Sequence, residues 1–270
     1  KDTTSIDDSL VIPVVEVIKK VLTEHLPNPT LERSSQHCCL NLDILDHWRQ
    51  AAKDPDHVVI DWLRHGASAA ITRPMPSCGI FPEYDPADDC AEFGPEDLFT
   101  EEHFANYAGV DEDQDAADEI GRLVSKQYVK QFDTLADLTK FVGSTPVLSK
   151  IGLIKKIRNG KLKTRMVVDS KRSGVSKASR KFQRTQLPRV FDALMDMLDL
   201  MASQVEPNSE LESMIADFAD AFFVVPNHPD ERRFFCIEFR GKFYAFLKTA
   251  QGSRAAPLTW ARVAALVMRL

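Results

Sequence analysis

The chain of 270 residues carries a net charge of −6, and 44% of its residues are hydrophobic, so it can form a substantial core. Charged residues interrupt every apolar stretch, and no segment has the pattern of a signal peptide or a membrane span. The five cysteines lack regular spacing, which favours a reducing, intracellular setting, cytoplasmic or nuclear, over a disulfide framework.

Charge is distributed very unevenly along the chain. Residues 83–119, the acidic connector, contain fifteen Asp or Glu and no Lys or Arg. Residues 150–189, the basic segment, contain fourteen Lys or Arg and a single acid, Asp169. A surface of one sign over such a length indicates a polyanionic partner. The alternative is that the basic segment packs against the acidic connector of the same chain.

The first 125 residues are predicted to form a mainly helical N-terminal extension that includes the acidic connector. Apolar residues at helical spacing predict helices over 10–26, 40–53, 115–132 and 134–142. Thr134 has the residue type and position of an N-cap. Residues 72–98 are rich in Pro, Asp and Gly, which predicts an irregular connection.

Residues 126–270 mix short strands with helices. Asn159-Gly160 and Arg240-Gly241 each separate two apolar, β-prone runs, and each pair is a hairpin signal. Between the hairpins, residues 187–205 predict an amphipathic helix that begins after Pro188. Strands and helices in this order indicate the α+β class rather than a repeated βαβ unit.

Two carboxylates, Asp217 and Asp220, interrupt the apolar run 215–226, IADFADAFFVVP. An ionised carboxylate in such a run is costly unless a positive partner holds it. If residues 214–216 form a strand, Asp217 lies at its end and can bind a hard cation such as Mg²⁺. Alternatively, Asp217 caps a short helix with Asp220 in its first turn. The spacing alone favours neither interpretation.

The order of three segments resembles the reverse transcriptases of retroelements. KLKTRMVVDSKRSGVS resembles the fingers hairpin of that family, and DFADAFFVVP resembles its first palm motif, an Asp followed five positions later by an aromatic residue. QGSRAAPLTWAR is similar to its second palm motif. The resemblance covers about residues 144–270 and depends on all three motifs occurring in this order. It implies the fingers and part of the palm of a right-hand polymerase, preceded by the helical extension.

The resemblance also implies roles for individual residues. Asp217 would be the catalytic carboxylate that binds Mg²⁺ or Mn²⁺, with the backbone carbonyl of Phe218 as a further ligand. The incoming dNTP would contact seven residues: Arg165, Lys156, Arg158, Asp220, Ala221, Phe222 and Gln251. Among these, Phe222 would lie under the sugar and disfavour a 2′-hydroxyl, and Asp220 would support the pocket rather than bind metal. Lys156 and Arg158 remain alternatives for the second triphosphate cation.

The RNA or DNA template-primer would be the second partner implied by the resemblance. The cations that would face the template backbone are Lys171, Arg172, Lys177, Arg180 and Lys181. The third palm motif, two adjacent Asp on a hairpin, would follow Gln251, but no adjacent Asp pair occurs between Gln251 and Leu270. The expectation is therefore a nucleotidyltransferase fragment that polymerises poorly by itself.

Two other functional interpretations remain open. The chain could be a non-catalytic nucleic-acid-binding module that keeps the basic surface of the fingers. The N-terminal half could instead be an interaction module for other parts of a polyprotein, with the acidic connector covering the basic fingers in the free protein.

Overall fold

The computed structural model describes residues 9, 12–14, 16–17, 20–21, 40–85, 94–98, 100, 104–158, 160–180, 183–203 and 217–270. The side chains of Arg158 and Lys161 are outside that description. Residues 214–216, where the sequence suggests a palm strand, lie wholly outside the described residues. So does most of the helix expected over 10–26, and the residues of that range that are described are helical.

Two helices open the well-described part of the chain. Helix α1, Leu42–Ala51, begins at Asn41, whose side chain accepts a hydrogen bond from the Ile44 N–H (3.1 Å) and so caps the first turn. Helix α2, Val58–His65, buries four apolar side chains. The helix predicted over 40–53 is confirmed.

The next helix is shorter than its sequence pattern predicts. Helix α3, Gln114–Ser125, is capped by the Asp113 side chain, and the chain then turns at Gln127 (φ +57°) into strand β1, Val129–Phe132. The prediction of one helix over 115–132 is therefore wrong in its second half. The Tyr128 carbonyl accepts the Leu247 N–H (2.9 Å), and β1 pairs with a distant strand, so tertiary pairing overrides local helical propensity.

Helix α4, Leu135–Val142, follows the predicted cap. The Thr134 hydroxyl accepts the Asp137 N–H (3.1 Å), and Gly143 ends the helix at φ +76°. The helix packs over a small apolar cluster formed by Leu138, Leu148, Cys236 and Ala245.

The first of the two antiparallel sheets is a single hairpin. Strands β2, Lys150–Arg158, and β3, Lys161–Asp169, pair in a register that places Ile151 opposite Val168 and Arg158 opposite Lys161. Gly160 (φ +72°) supplies the positive φ that the two-residue turn needs. The hairpin predicted around Asn159-Gly160 is confirmed.

The second sheet has three strands in the order β1-β5-β4. Strands β4, Cys236–Phe239, and β5, Lys242–Phe246, form a hairpin whose turn residues, Arg240 and Gly241, have φ of +50° and +69°. Two positive φ values are typical of a type I′ turn, whose twist matches that of the strands. The second predicted hairpin is also confirmed, and with it the α+β class.

The remaining elements connect these sheets. Helix α5, Val175–Ala178, follows β3, helix α6 spans Val190–Ala202, and helix α7 spans Ala256–Arg269. Short 3₁₀ helices occupy Pro95–Asp97, Ala221–Val224 and Pro229–Phe234. In the described part of the chain, no helix is long and apolar enough to cross a membrane.

One apolar core includes side chains from both halves of the chain. Trp62 of α2 belongs to the same cluster as Val129 of β1 and Leu266 of α7. Arg262 of α7 is fully buried, donates to Asp56 (2.8 and 2.5 Å), and stacks over the Trp62 ring at 4.4 Å. The division of the chain at residues 125 and 126 stays a prediction, but the described residues on its two sides share a core.

Candidate nucleotide and nucleic-acid site

Asp217 is an exposed carboxylate at the start of the segment that leads to the 3₁₀ helix Ala221–Val224. Within the described residues, no hydrogen bond or ion pair engages its side chain. The N-cap position of the 3₁₀ helix is Asp220, which makes no side-chain cap bond, so the capping alternative for Asp217 is wrong. The Asp217 carboxylate is therefore open to a ligand from solvent.

Asp220 has the positive partners that its apolar surroundings require, and they come from α3 and from Lys126, the residue that follows it. Its carboxylate accepts hydrogen bonds from Arg122 (3.0 Å) and Lys126 (2.5 Å), with the Tyr128 hydroxyl at 3.4 Å. Partial burial raises the pKa of Asp220, but the Lys126 hydrogen bond and the Arg122 charge outweigh that effect and lower it below its usual value. Asp220 is thus ionised, and its Oδ2 atom is held by Arg122, Lys126 and Tyr128.

Three residues around these carboxylates were expected to touch the metal or the nucleotide. Phe218, Ala221 and Phe222 are all half-buried. The Phe218 ring packs edge-on against Trp260 of α7, with centroids 5.0 Å apart, which holds this backbone segment against the core. Phe222 leaves part of its ring accessible, as a ring that contacts a ligand must.

A cavity of about 630 Å³ lies between β3 and the segment that follows β5. The residues that line it are Glu119, Arg122, Leu123, Lys163, Thr164, Arg165, Met166, Val168, Phe223, Phe246 and Gln251. We call it the nucleotide cavity after the dNTP-binding roles that the resemblance implies for Arg165 and Gln251, and its volume is within the range of ligand pockets, about 300–1,000 Å³. It brings together Arg165 and Gln251, two of the residues that the sequence singled out. Asp217, Ala221 and Phe222 are not in its lining.

Sequence reasoning missed several residues of this cavity. Lys163 is an exposed cation beside Arg165 on β3, and Arg122 connects the cavity to Asp220 through its guanidinium. Charge spacing on α3 gives no sign that Arg122 reaches a carboxylate 98 positions away. Phe223, whose ring stacks on Tyr128 at 4.6 Å, could have been found only from its place beside Phe222.

Of the two alternatives for a second triphosphate cation, neither lines the cavity. Lys156 lies on β2 opposite Lys163 and is exposed. Arg158 ends β2 opposite Lys161, and its side chain is outside the described part of the structure. Lys163, unlike Lys156, lines the cavity that Arg165 also lines.

Gln251 lines the nucleotide cavity, and the next residue, Gly252, lies against β3. Gly252 has φ of +103°, and a Cβ at this position would come 2.4 Å from the Val168 carbonyl oxygen. Only glycine therefore allows this close approach to β3. The approach fixes Gln251 beside the strand that carries Arg165.

The cations expected to face a template lie just after β3. Lys171 and Arg172 are exposed, Lys177 is half-buried, and all three line a second cavity of about 360 Å³. Arg180 is also exposed, and its backbone N–H donates to Ala70 (2.8 Å). Lys181 falls outside the described residues.

Part of the basic segment packs against the acidic connector, as the alternative interpretation of the charges expects. Lys155 lies 2.7 Å from a carboxylate oxygen of Asp113 and 2.6 Å from one of Asp115. The hydrogen bonds to these carboxylates raise the pKa of Lys155. Tyr107 of the acidic connector donates its hydroxyl to Asp169. These contacts attach the hairpin to the acidic connector and leave Lys156 and Arg165 exposed.

A divalent cation would find oxygen ligands at Asp217 and at the Phe218 carbonyl. Among the described residues, no three His, Cys, Asp or Glu side chains cluster as a metal site. A single exposed carboxylate fits Mg²⁺, which keeps several waters and shares its coordination with substrate phosphates.

Comparison with known proteins identifies no family for the chain. No family model matches the chain, and no curated protein matches it.

Proposed function

We propose that this chain is the fingers and first part of the palm of a retroelement reverse transcriptase, acting in template-directed transfer of nucleotides from dNTPs. The observation that carries the proposal is the nucleotide cavity, where Arg165 of the hairpin meets Gln251 of the second palm motif. These residues come from two separate motifs of the resemblance, and the fold brings them to one cavity. The RNA or DNA template, an intracellular location and polyprotein partners belong to the same proposal.

Each residue of the site has a physical role in this function. The Arg165 guanidinium can bridge two phosphate oxygens, and Lys163 adds a second positive charge. Asp217 and the Phe218 carbonyl would hold Mg²⁺, which would neutralise charge on the phosphates. Phe222 would lie against the sugar and disfavour a 2′-hydroxyl. Arg122 and Lys126 hold Asp220, and so fix the turn that positions Phe222.

The first test is dNTP binding by Arg165→Ala, measured by fluorescence titration with a labelled dNTP in the presence of Mg²⁺. Because the change removes a charge-assisted contact to phosphate, we expect binding to weaken roughly 10- to 100-fold. Arg184→Ala is the matched control, since Arg184 is an exposed Arg of the same basic segment outside the cavity lining. Equal affinity of the Arg165 and Arg184 variants would contradict the nucleotide assignment.

Primer extension tests the reaction itself. We would compare the chain, a version continued through the expected third palm motif, and that longer version with Asp217→Asn. Extension by the longer protein that the Asp217 change abolishes supports the polymerase. No extension by any of them, together with salt-dependent binding of template, supports instead a nucleic-acid-binding module, which the exposed Lys171, Arg172 and Arg180 favour.

A further inference from the structure

Three adjoining cavities lie along β3 and the segment that follows it. The nucleotide cavity shares Val168 with a second cavity of about 320 Å³, which we call the Tyr107 cavity. The Tyr107 cavity shares Lys171 with the 360 Å³ cavity described above, which we call the outer cavity. Gly252, which approaches the Val168 carbonyl closely, lines the Tyr107 cavity.

Tyr107 is fixed at the second cavity by three separate contacts. Its backbone N–H donates to the Ile151 carbonyl (3.2 Å), and its hydroxyl donates to Asp169. Its ring packs over Gly152, where a Cβ would come 3.3 Å from the ring. The residue nevertheless remains 47% exposed. An aromatic ring that is rigidly held and half accessible is suited to stack against a base.

Asp169 does not give the Tyr107 cavity an unpaired negative charge. Its carboxylate accepts the Tyr107 hydroxyl and the Arg172 backbone N–H (2.9 Å). Partial burial raises the pKa of Asp169, but these hydrogen bonds outweigh that effect and lower it. The carboxylate is therefore ionised and already bonded.

The described lining of the outer cavity has more basic than acidic side chains. Its lining contains the four cations Lys150, Lys171, Arg172 and Lys177, and one acid, Asp97. Leu98, Phe104 and Leu148 form its apolar part. Cations combined with apolar and aromatic surface suit the phosphates and sugars of a nucleic-acid strand.

We propose that a single-stranded nucleic acid follows the three cavities, with an unpaired base stacked on Tyr107 next to the nucleotide cavity and the adjoining phosphates held in the outer cavity. This inference rests on the proposed function and makes Tyr107 a positioning residue for the base to be copied. The acidic connector, which carries most of the negative charge near the site, supplies the aromatic ring.

The test is the binding of two labelled strands of equal length, oligo-dT and an abasic sugar-phosphate strand, by fluorescence anisotropy on the full chain. We expect Tyr107→Ala to weaken oligo-dT binding roughly 5- to 100-fold and to leave the abasic strand unchanged, because only a base can stack. Tyr107→Phe should keep most of the affinity. Trp48→Ala, which removes a comparably exposed aromatic residue from α1, should change neither strand.

The abasic strand also reveals whether the variant is folded. Equal weakening of both strands by Tyr107→Ala, or no weakening of either, would overturn the inference. Lys171→Gln and Lys177→Gln should weaken the binding of both strands. Each change should also make the plot of log affinity against log salt concentration less steep, by about 0.7 for each lost contact between a cation and a phosphate. An unchanged slope would remove the outer cavity from the path. A matching oligo-rU series shows whether the path prefers RNA or DNA.

The outcomes separate this inference from the polymerase proposal. If Tyr107→Ala weakens oligo-dT binding while Arg165→Ala binds dNTP normally, the strand path is supported and the nucleotide site is overturned. Weak dNTP binding in Arg165→Ala without any Tyr107 effect keeps the nucleotide site and overturns the path.

Discussion

Asp220 shows how one residue joins the segment 217–226 to the rest of the molecule. Its φ of +53° lies in the left-handed region, where Asn and Asp are better tolerated than most residues. Its side chain, 24% exposed, binds both Arg122 of α3 and Lys126, which follows the helix. The carboxylate thus fixes both the turn before Phe222 and the position of α3.

Asp220→Asn should lower the free energy of unfolding by about 1 kcal/mol near neutral pH, since Asn keeps the backbone conformation and loses the charge. The folded-state pKa of Asp220 is lowered, so its contribution is complete above the unfolded pKa of about 3.9 and is lost as the pH falls through the folded value. The difference between the two proteins should therefore shrink below about pH 4 in urea unfolding experiments.

The matched control for that experiment is Asp196→Asn, an exposed carboxylate on α6. It should change stability little at any pH. A difference between wild type and Asp220→Asn that stays constant from pH 7 to pH 3 would show that the ion pairs do not stabilise the fold.

Among the described elements, helix α6 has the most exposed large apolar side chains. None of its thirteen residues is buried, and Val190, Phe191, Leu194 and Met201 are 80%, 65%, 51% and 57% exposed. Its three acids, Asp192, Asp196 and Asp199, lie along one stripe at helical spacing. The remaining circumference is apolar, which is unusual for a solvent-facing helix.

We expect this surface to make the protein self-associate, and the double change Leu194→Lys with Met201→Lys to raise the concentration at which association begins by roughly tenfold. Sedimentation velocity at several concentrations measures this directly. The unfolding midpoint should stay nearly constant, because both side chains are exposed. Leu135→Lys, at an exposed apolar residue of α4, is the control. Association that is unchanged in the double variant would exclude α6 as its cause.

The elements differ in how far sequence alone predicts them. Both hairpins and the Thr134 cap follow from local chemistry, since a Gly with positive φ or a capping hydroxyl acts within a few residues. Strand β1 could not be predicted, because its partner β5 lies more than a hundred positions later in the chain. The partners of Asp220 and the place of Tyr107 depend on tertiary packing in the same way. Arg165 and Gln251 were found through the motif order, not through their contacts.

At the scale of the whole molecule, two buried polar contacts join the segments that flank helix α2 to the C-terminal half. The fully buried Glu231 accepts backbone N–H groups of Ala69 (2.5 Å), Ile71 (3.1 Å) and Thr72 (2.7 Å). The second contact is the buried pair of Asp56 and Arg262. Removing one partner of such a contact leaves a buried polar group without compensation, which typically costs several kcal/mol.

The isolated segment 126–270 should therefore fold poorly. Without residues 1–125 its core lacks Trp62 and Leu63, and both Arg262 and Glu231 are left without their partners. We expect it to unfold without a cooperative transition and to bind a hydrophobic dye, whereas the full chain unfolds in one transition. Cooperative unfolding of the isolated segment at close to the stability of the full chain would instead establish an independent domain after residue 125.

The ion pair between Asp56 and Arg262 joins residues 206 positions apart. During synthesis, the ribosome adds about 5–20 residues each second, so Asp56 leaves the ribosome at least ten seconds before Arg262 does. Until then, the apolar faces of α1 and α2 have no α7 to pack against and are exposed to other chains. The nascent protein is thus vulnerable to misassembly during the interval before helix α7 emerges.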